Sequence, residues 1–342
     1  PDTPDCLPAM GPDLPRSRLG LAQWLVDPDN PLLARVAVNR VWQSLFGTGL
    51  VKTAEDFGTQ GSPPSHPELL DWLAGRFISD GWSRKSLVRR IVSSRTYRQS
   101  SEASDELWKR DPENRLLARG SRYRLDAEVL RDQALAVSGL LVERIGGPPV
   151  KPPQPPGLWR AVAYVGSNTM DFVADTDPEK IHRRSLYTFW KRTAPAPQFS
   201  TFDAPSREHC VMRRERTNTP LQALLLMNDP QFVECARAFA ERVLHECDAS
   251  DPERSRHAWV IATGREPTYG EVAELVELLH AQRAAFRSDP DRAKALLLIG
   301  AAPVDGDGTA RMEVAAGRRR QRRGNLALDR PEMDPVAFGI DA

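Results

Sequence analysis

From Gly146 to Trp159 the chain reads GGPPVKPPQPPGLW, with six prolines in fourteen residues. Proline fixes φ and lacks a backbone N–H, so this stretch cannot be regular secondary structure. Helical periodicity lies on either side of it. Upstream, SRLGLAQWLVD (17–27) has apolar residues at helical spacing. In NPLLARVAVNRVWQSLFG, Asn30 is placed to cap, Pro31 suits the first helical position and Gly47 can end the helix. Ser65 and Glu68 are spaced as a capping box, with Pro67 in the first turn and Gly81 to close. Further helices are expected from Ser83 to about Tyr97 and from Leu125 to about Leu141. Downstream, Thr219, Pro220 and Gln222 form another capping box. DPQFVECARAFAERVLHEC and TYGEVAELVELLHAQRAAFRSD are amphipathic with clear starts. Short extended segments are expected at RAVAYVG and RSLYTFWKR.

These signals predict a mainly α fold of packed helices, with a long ordered Pro-rich middle and a few short strands. They divide the chain into a linker or fragment start (1–16), a helical part (17–145), a Pro-rich and polar loop region (146–218), a second helical part (219–303) and a tail (304–342). The tail has weak periodicity and five arginines between Arg318 and Arg323, so it is expected to be disordered.

A chain of 342 residues is long enough for two domains, and 40% apolar with 27% charged residues fits a globular protein. A net charge of +1 provides no global field toward nucleic acid or a membrane, so neither partner is expected. No apolar run reaches the roughly 18 residues of a bilayer span. The opening PDTPDCLPAM reads as the start of a fragment or of one domain of a larger chain. Of the four cysteines, Cys235 and Cys247 share a predicted helix about 18 Å apart, too far to bridge each other. There is no CxxC or CxxCH, and the histidines lack ligand spacing, so neither a metal site nor a cofactor is expected in this chain.

TFDAPSREHCVMRRERTNTPLQALLLMNDPQF (201–232) sets dense polar chemistry directly before an apolar helix. A helix start attracts anions, and Arg213, Arg214 and Arg216 pair with acidic groups through a fixed fork. One reading is an anion-recognition corner, with Asn218 orienting by hydrogen bond and Trp190 stacking on a ring. The other is structural: arginines and Glu215 pair with each other and with loop carbonyls, tying a long loop to the core. Arg207 belongs to the same polar run. Asp203 and Glu208 are the acid or base candidates if the protein is an enzyme; no catalytic residue is assigned. Arg35, Asn39 and Gln43, at i, i+4 and i+8, line one helix stripe that either faces the same corner or is simply solvated. The aromatics Tyr187, Phe189, Trp190, Phe199 and Phe202 are a stacking platform or, more commonly for such clusters, core.

Several ordered blocks together resemble the planctomycete-specific domain of unknown function that closes large cytochrome-c-associated envelope proteins. They are NPLLARVAVNRVWQSLFGTGLVKTAEDFGTQGSPPSHPELLDWLA, GWSRKSLVRRIVSSRTYRQSS, DPENRLLARGSRYRLDAEVLRDQALAVSGLL, RRSLYTFWKRTAPAPQFSTFDAPSREHCVMRRERTNTPLQALLLMNDPQFVE and HAWVIATGREPTYGEVAEL. The resemblance covers residues 17 to about 300. It implies a mainly helical fold and an envelope, periplasmic or secreted setting, with no established reaction and no catalytic residues to carry over. It also implies a link to polysaccharide use and, in an upstream domain, a haem group. Three functions follow as expectations: a non-catalytic binding or scaffolding module for polysaccharide or an envelope protein, a carbohydrate-active hydrolase using Asp/Glu acid–base residues, or an accessory that docks a cytochrome c domain. The chain departs from the family pattern at its end, where the Arg-rich stretch stands in place of the usual closing helix.

Overall fold

The computed structural model describes residues 3–164, 166–167 and 169–302. The predicted tail, 304–342, lies outside the described residues. Fifteen α-helices form among the described residues, and the only β pairing there is two isolated parallel bridges, Val142 with Arg183 and Val150 with Thr188. The described residues fold as two compact units, one within 3–125 with 209–215 and the other within 126–208 with 216–302.

The first unit contains α1 (Arg18–Leu25), α2 (Pro31–Phe46), α3 (Pro67–Ser79), α4 (Arg84–Val92), α5 (Arg95–Arg98) and α6 (Asp105–Arg110). Ala34, Val38, Trp42 and Phe46 recur every fourth residue, which places them on one stripe of α2. That stripe packs with Leu70, Leu73, Ala74 and Phe77 of α3 and with Leu87 and Ile91 of α4, all buried. Trp42 and Phe46 stack with ring centroids 4.1 Å apart. Asn30 caps α2 by accepting from the Leu32 N–H at 3.1 Å, with Pro31 at the first position and Gly47 at the C-cap, as its sequence predicts.

Two local expectations are corrected here. The N-cap of α3 is His66 and not Ser65; Pro67 starts the helix one residue later than the capping-box spacing implies, and Ser65 Oγ lies 3.0 Å from His66 Nδ1. The helix expected from Ser83 to Tyr97 is two helices. Ser94 turns extended (φ −68°, ψ 151°) and its side chain accepts from the Tyr97 N–H at 3.2 Å, so a serine able to cap restarts the helix as α5. Helix α6, capped by Ser104, was not expected.

The second unit contains α7 (Ala127–Ser138), α8 (Leu158–Ala161), α9 (Pro178–Ile181), α10 (Pro197–Thr201), α11 (Pro220–Asn228), α12 (Pro230–Glu246), α13 (Asp251–Thr263), α14 (Tyr269–Ser288) and α15 (Pro290–Leu297). Helices α7 and α12 pack against each other, and Gln231 of α12, which bonds Arg131 of α7, also donates to Pro153 in the Pro-rich middle. Among the described residues neither RAVAYVG nor RSLYTFWKR forms a strand, and the second pairs only through the single bridge at Thr188. The first begins inside α8 and the second holds the 3-10 turn Ser185–Tyr187. Val150 is flanked by Pro148, Pro149, Pro152 and Pro153, which have no N–H to donate, so its pairing stops at a single bridge. Helix α11 has the predicted Thr219–Gln222 capping box, with Gln222 Oε1 accepting from the Thr219 N–H at 3.3 Å. Helices α13 and α15 were not expected.

The start of α14 supplies a pH prediction. Glu271 accepts from both Arg265 Nη1 (2.9 Å) and Nη2 (2.5 Å) and from the Thr268 N–H (2.8 Å). Chiefly through Arg265, these bonds lower its carboxyl from the usual 4.5 to about 2. A carboxyl depressed on folding contributes stability that is complete above the unfolded value and fades as pH falls through the folded one. The stability gap between wild type and Glu271→Gln should therefore be constant above about pH 5.5 and close between pH 4.5 and 2. Thermal melts across that range measure it.

Candidate functional site

In the second unit the chain turns tightly just after α10. Asp203 and Arg207 adopt left-handed backbone, φ +61° and +65°, which costs a non-glycine residue roughly 1–3 kcal/mol unless its surroundings compensate. The Asp203 carboxylate supplies compensation. It accepts from the Thr217 N–H at 2.8 Å and from Thr217 Oγ1 at 2.9 Å. Gln222 Nε2 donates to Thr217 Oγ1 (3.0 Å) and to the Thr201 carbonyl (2.9 Å), extending the same clamp to the start of α11.

Trp190 is half-buried beside this clamp. Its indole N–H donates to the Ser206 carbonyl at 3.1 Å, and its ring stacks near-parallel with Phe199. The Arg207 guanidinium sits 4.3 Å from the ring centroid and 3.8 Å from Glu128 on α7. Arg216 lies 3.8 Å from Asp126, the N-cap of α7. Both pairs are partly exposed, so each contributes at most about 1 kcal/mol. The Glu208 N–H donates to Ser206 Oγ at 3.4 Å; the Glu208 side chain and Asn218 are exposed.

The remaining predicted residues belong to the first unit. Arg213 and Glu215 are exposed and Arg214 is half-buried. Arg35 donates to Asp71 and to the Pro31 carbonyl, both at 2.6 Å, and lowers the Asp71 carboxyl. Asn39 is fully buried, so the stripe of Arg35, Asn39 and Gln43 is not simply solvated. Its amide pairs with one peptide unit, donating to the Val51 carbonyl (3.0 Å) and accepting from the Val51 N–H (2.9 Å). A Cβ on Gly49 would come within 2.6 Å of this amide, which is why glycine stands there. Asn39→Ala leaves both Val51 groups buried and unpaired and should cost about 2–4 kcal/mol. A chemical-denaturation midpoint reads the loss directly.

A buried polar network in the second unit was not anticipated from sequence. Arg131 on α7 donates through Nε to Gln231 (2.8 Å), through Nη1 to the Arg183 carbonyl (3.0 Å) and Ser185 Oγ (3.2 Å), and through Nη2 to the Ile181 carbonyl (2.6 Å). Arg183, also fully buried, donates to the carbonyls of Pro148 (3.0 Å), Arg144 (3.1 Å) and Gly146 (2.5 Å) and stacks on Tyr187. Gln231 donates to the Pro153 carbonyl at 2.9 Å. A proline-dense loop has few donors of its own, and guanidinium and amide groups satisfy its carbonyls instead. Burial lowers the Arg131 pKa, with neighbouring carboxylates opposing that shift. The signal was present in the register: Arg131 falls midway between the core residues Ala127 and Leu135.

Glu234 anchors the end of the described chain. Its Oε1 accepts from the N–H groups of Ala301 (2.9 Å) and Ala302 (2.5 Å), and Arg237 donates to the Ala302 carbonyl at 2.8 Å. Gly300 has φ +108°, and a Cβ there would meet the Glu234 carboxyl at 2.5 Å. His182 Nε2 lies 3.2 Å from Glu234 Oε1, within ion-pair distance but off the hydrogen-bond line. Burial resists ionisation of Glu234; His182 and the two backbone donors outweigh it and hold the carboxyl below its usual range. Burial also pushes the Cys235 thiol up to about 11, so it is no nucleophile near neutral pH. All four cysteines are free, and among the described residues no cluster of three metal-ligating side chains occurs.

Fold and site together define a helical domain whose irregular middle is pinned by buried arginines and by an aspartate clamp. The family model for PSD1, described as a protein of unknown function (DUF1553), matches residues 17–279, and the chain belongs to that family. No curated protein and no solved structure matches it.

Proposed function

We propose that this domain is a non-catalytic binding or scaffolding module of a larger envelope or secreted protein, with polysaccharide or an envelope protein as its partner. The observation that supports this is the Asp203 clamp: both carboxylate oxygens of one of the two acid–base candidates accept from Thr217. These bonds give the Asp203 carboxylate a structural task, holding the loop at Thr217. Arg207, paired with Glu128 and stacked on Trp190, likewise serves the loop. The test is to incubate the full chain with a panel of plant and algal polysaccharides and assay both retention and reducing-end release. Retention without release is expected. Release that disappears in Asp203→Asn or Glu208→Gln overturns the proposal.

A further inference from the structure

Helix α11 carries its polarity the wrong way round. Its buried residue is polar: Gln222 is 4% exposed, accepts from the Thr219 N–H and donates to Thr217 Oγ1 and the Thr201 carbonyl. Its large apolar residues face water: Leu221 is 59% exposed, Leu224 56% and Met227 75%. Leu225 packs inward, half-buried against the core group of Ala127, Phe199 and Phe202. The capping box fixes this rotation, because turning Gln222 outward would release its bonds. Pro220, Ala223, Leu224 and Met227, at i, i+3, i+4 and i+7, therefore form one exposed stripe, with Leu221 along its edge. A contiguous apolar stripe left in water marks an interaction site.

The charge and the area of the stripe select a second copy of this chain as what covers it. Residues 217–228 contain no charged side chain, so the face can meet itself without like-charge repulsion, and an acidic or basic partner finds nothing there to pair with. The same stretch lacks the cations that hold an amphipathic helix on an anionic bilayer. The stripe and Leu221 present roughly 400 Å² of apolar surface. At the apolar content of homodimer interfaces, about 65%, this corresponds to a patch of about 600 Å² per copy and about 1,200 Å² in the pair, the lower edge of a specific interface. Crossing two copies antiparallel about a two-fold axis sets Leu224 on Leu224 and Leu221 on Met227, each contact of the second kind made twice.

We infer that α11 is a homodimer contact, its exposed stripe packing on the same stripe of a second copy about a two-fold axis near Leu224. The inference concerns assembly and stands apart from the polysaccharide or envelope partner proposed above. An interface of this size gives a reversible dimer with a Kd in the micromolar range. Sedimentation velocity of the full chain, with no polysaccharide present, should show monomer giving way to dimer as the concentration rises through that range. Leu224→Glu and Leu224→Arg each set like charges across the axis and should raise the Kd about tenfold or more. Mixing the two variants in equal amounts should restore the dimer, because Glu then meets Arg. Leu224 is exposed in a single copy, so both variants should melt like wild type at a concentration where wild type is monomeric. Four results would overturn the inference: a monomer at every concentration, a dimer that neither variant weakens, a mixture that associates no better than its components, or a monomer that floats with phosphatidylcholine vesicles and loses this in Leu224→Glu.

Discussion

Arg131→Ala is expected to destabilise the second unit by about 3–5 kcal/mol, the range for disrupting a buried charged group and its partners. Four bonds from one guanidinium are lost, and the carbonyls of Ile181 and Arg183 stay buried without donors. Two companion variants separate the causes. Arg131→Lys keeps the charge but not the fork, and should recover less than half of the loss. Arg131→Met fills the space without charge. Replacing a buried ion with an apolar residue is often neutral when its partners leave too. Here the carbonyls remain, so Met should still cost roughly 2 kcal/mol. Urea unfolding gives the values, and a Met variant as stable as wild type would show that the loop does not depend on these donors.

Trp42→Ala should cost about 3–5 kcal/mol in the first unit. The side chain is 4% exposed and stacks on Phe46, and α2 meets α3 along the stripe it occupies. Helices on both sides are held by further buried contacts, so the space cannot collapse and the cavity adds to the transfer loss. Trp72→Ala is the control: it removes the same atoms from a half-exposed position and should cost far less. Near-equal losses from the two variants would contradict the assignment of Trp42 to the core.

Helices were legible wherever a cap, a first-turn proline and a four-residue apolar spacing coincided, as at Asn30–Pro31, Thr219–Pro220 and Asp229–Pro230. They were misjudged where a serine could equally continue or cap, as at Ser94, because the choice depends on what the next turn packs against. The polar run before α11 was legible as unusual chemistry, but not as a clamp. Nothing in the spacing of Asp203 and Thr217, fourteen residues apart, says that one receives the other's N–H.

Local sequence therefore determined helices α1 to α4, α7, α11, α12 and α14 and where the irregular middle lies, since caps, prolines and apolar period act within a few residues. Only the tertiary structure decided which polar groups are internal partners. Arg131 lies in the core register of α7 yet reaches Ile181, and Asn39 reads as a surface stripe yet closes on Val51. The physical reason is that a loop without its own donors must satisfy its carbonyls from distant side chains. Which side chains those are depends on chain segments that meet only after folding.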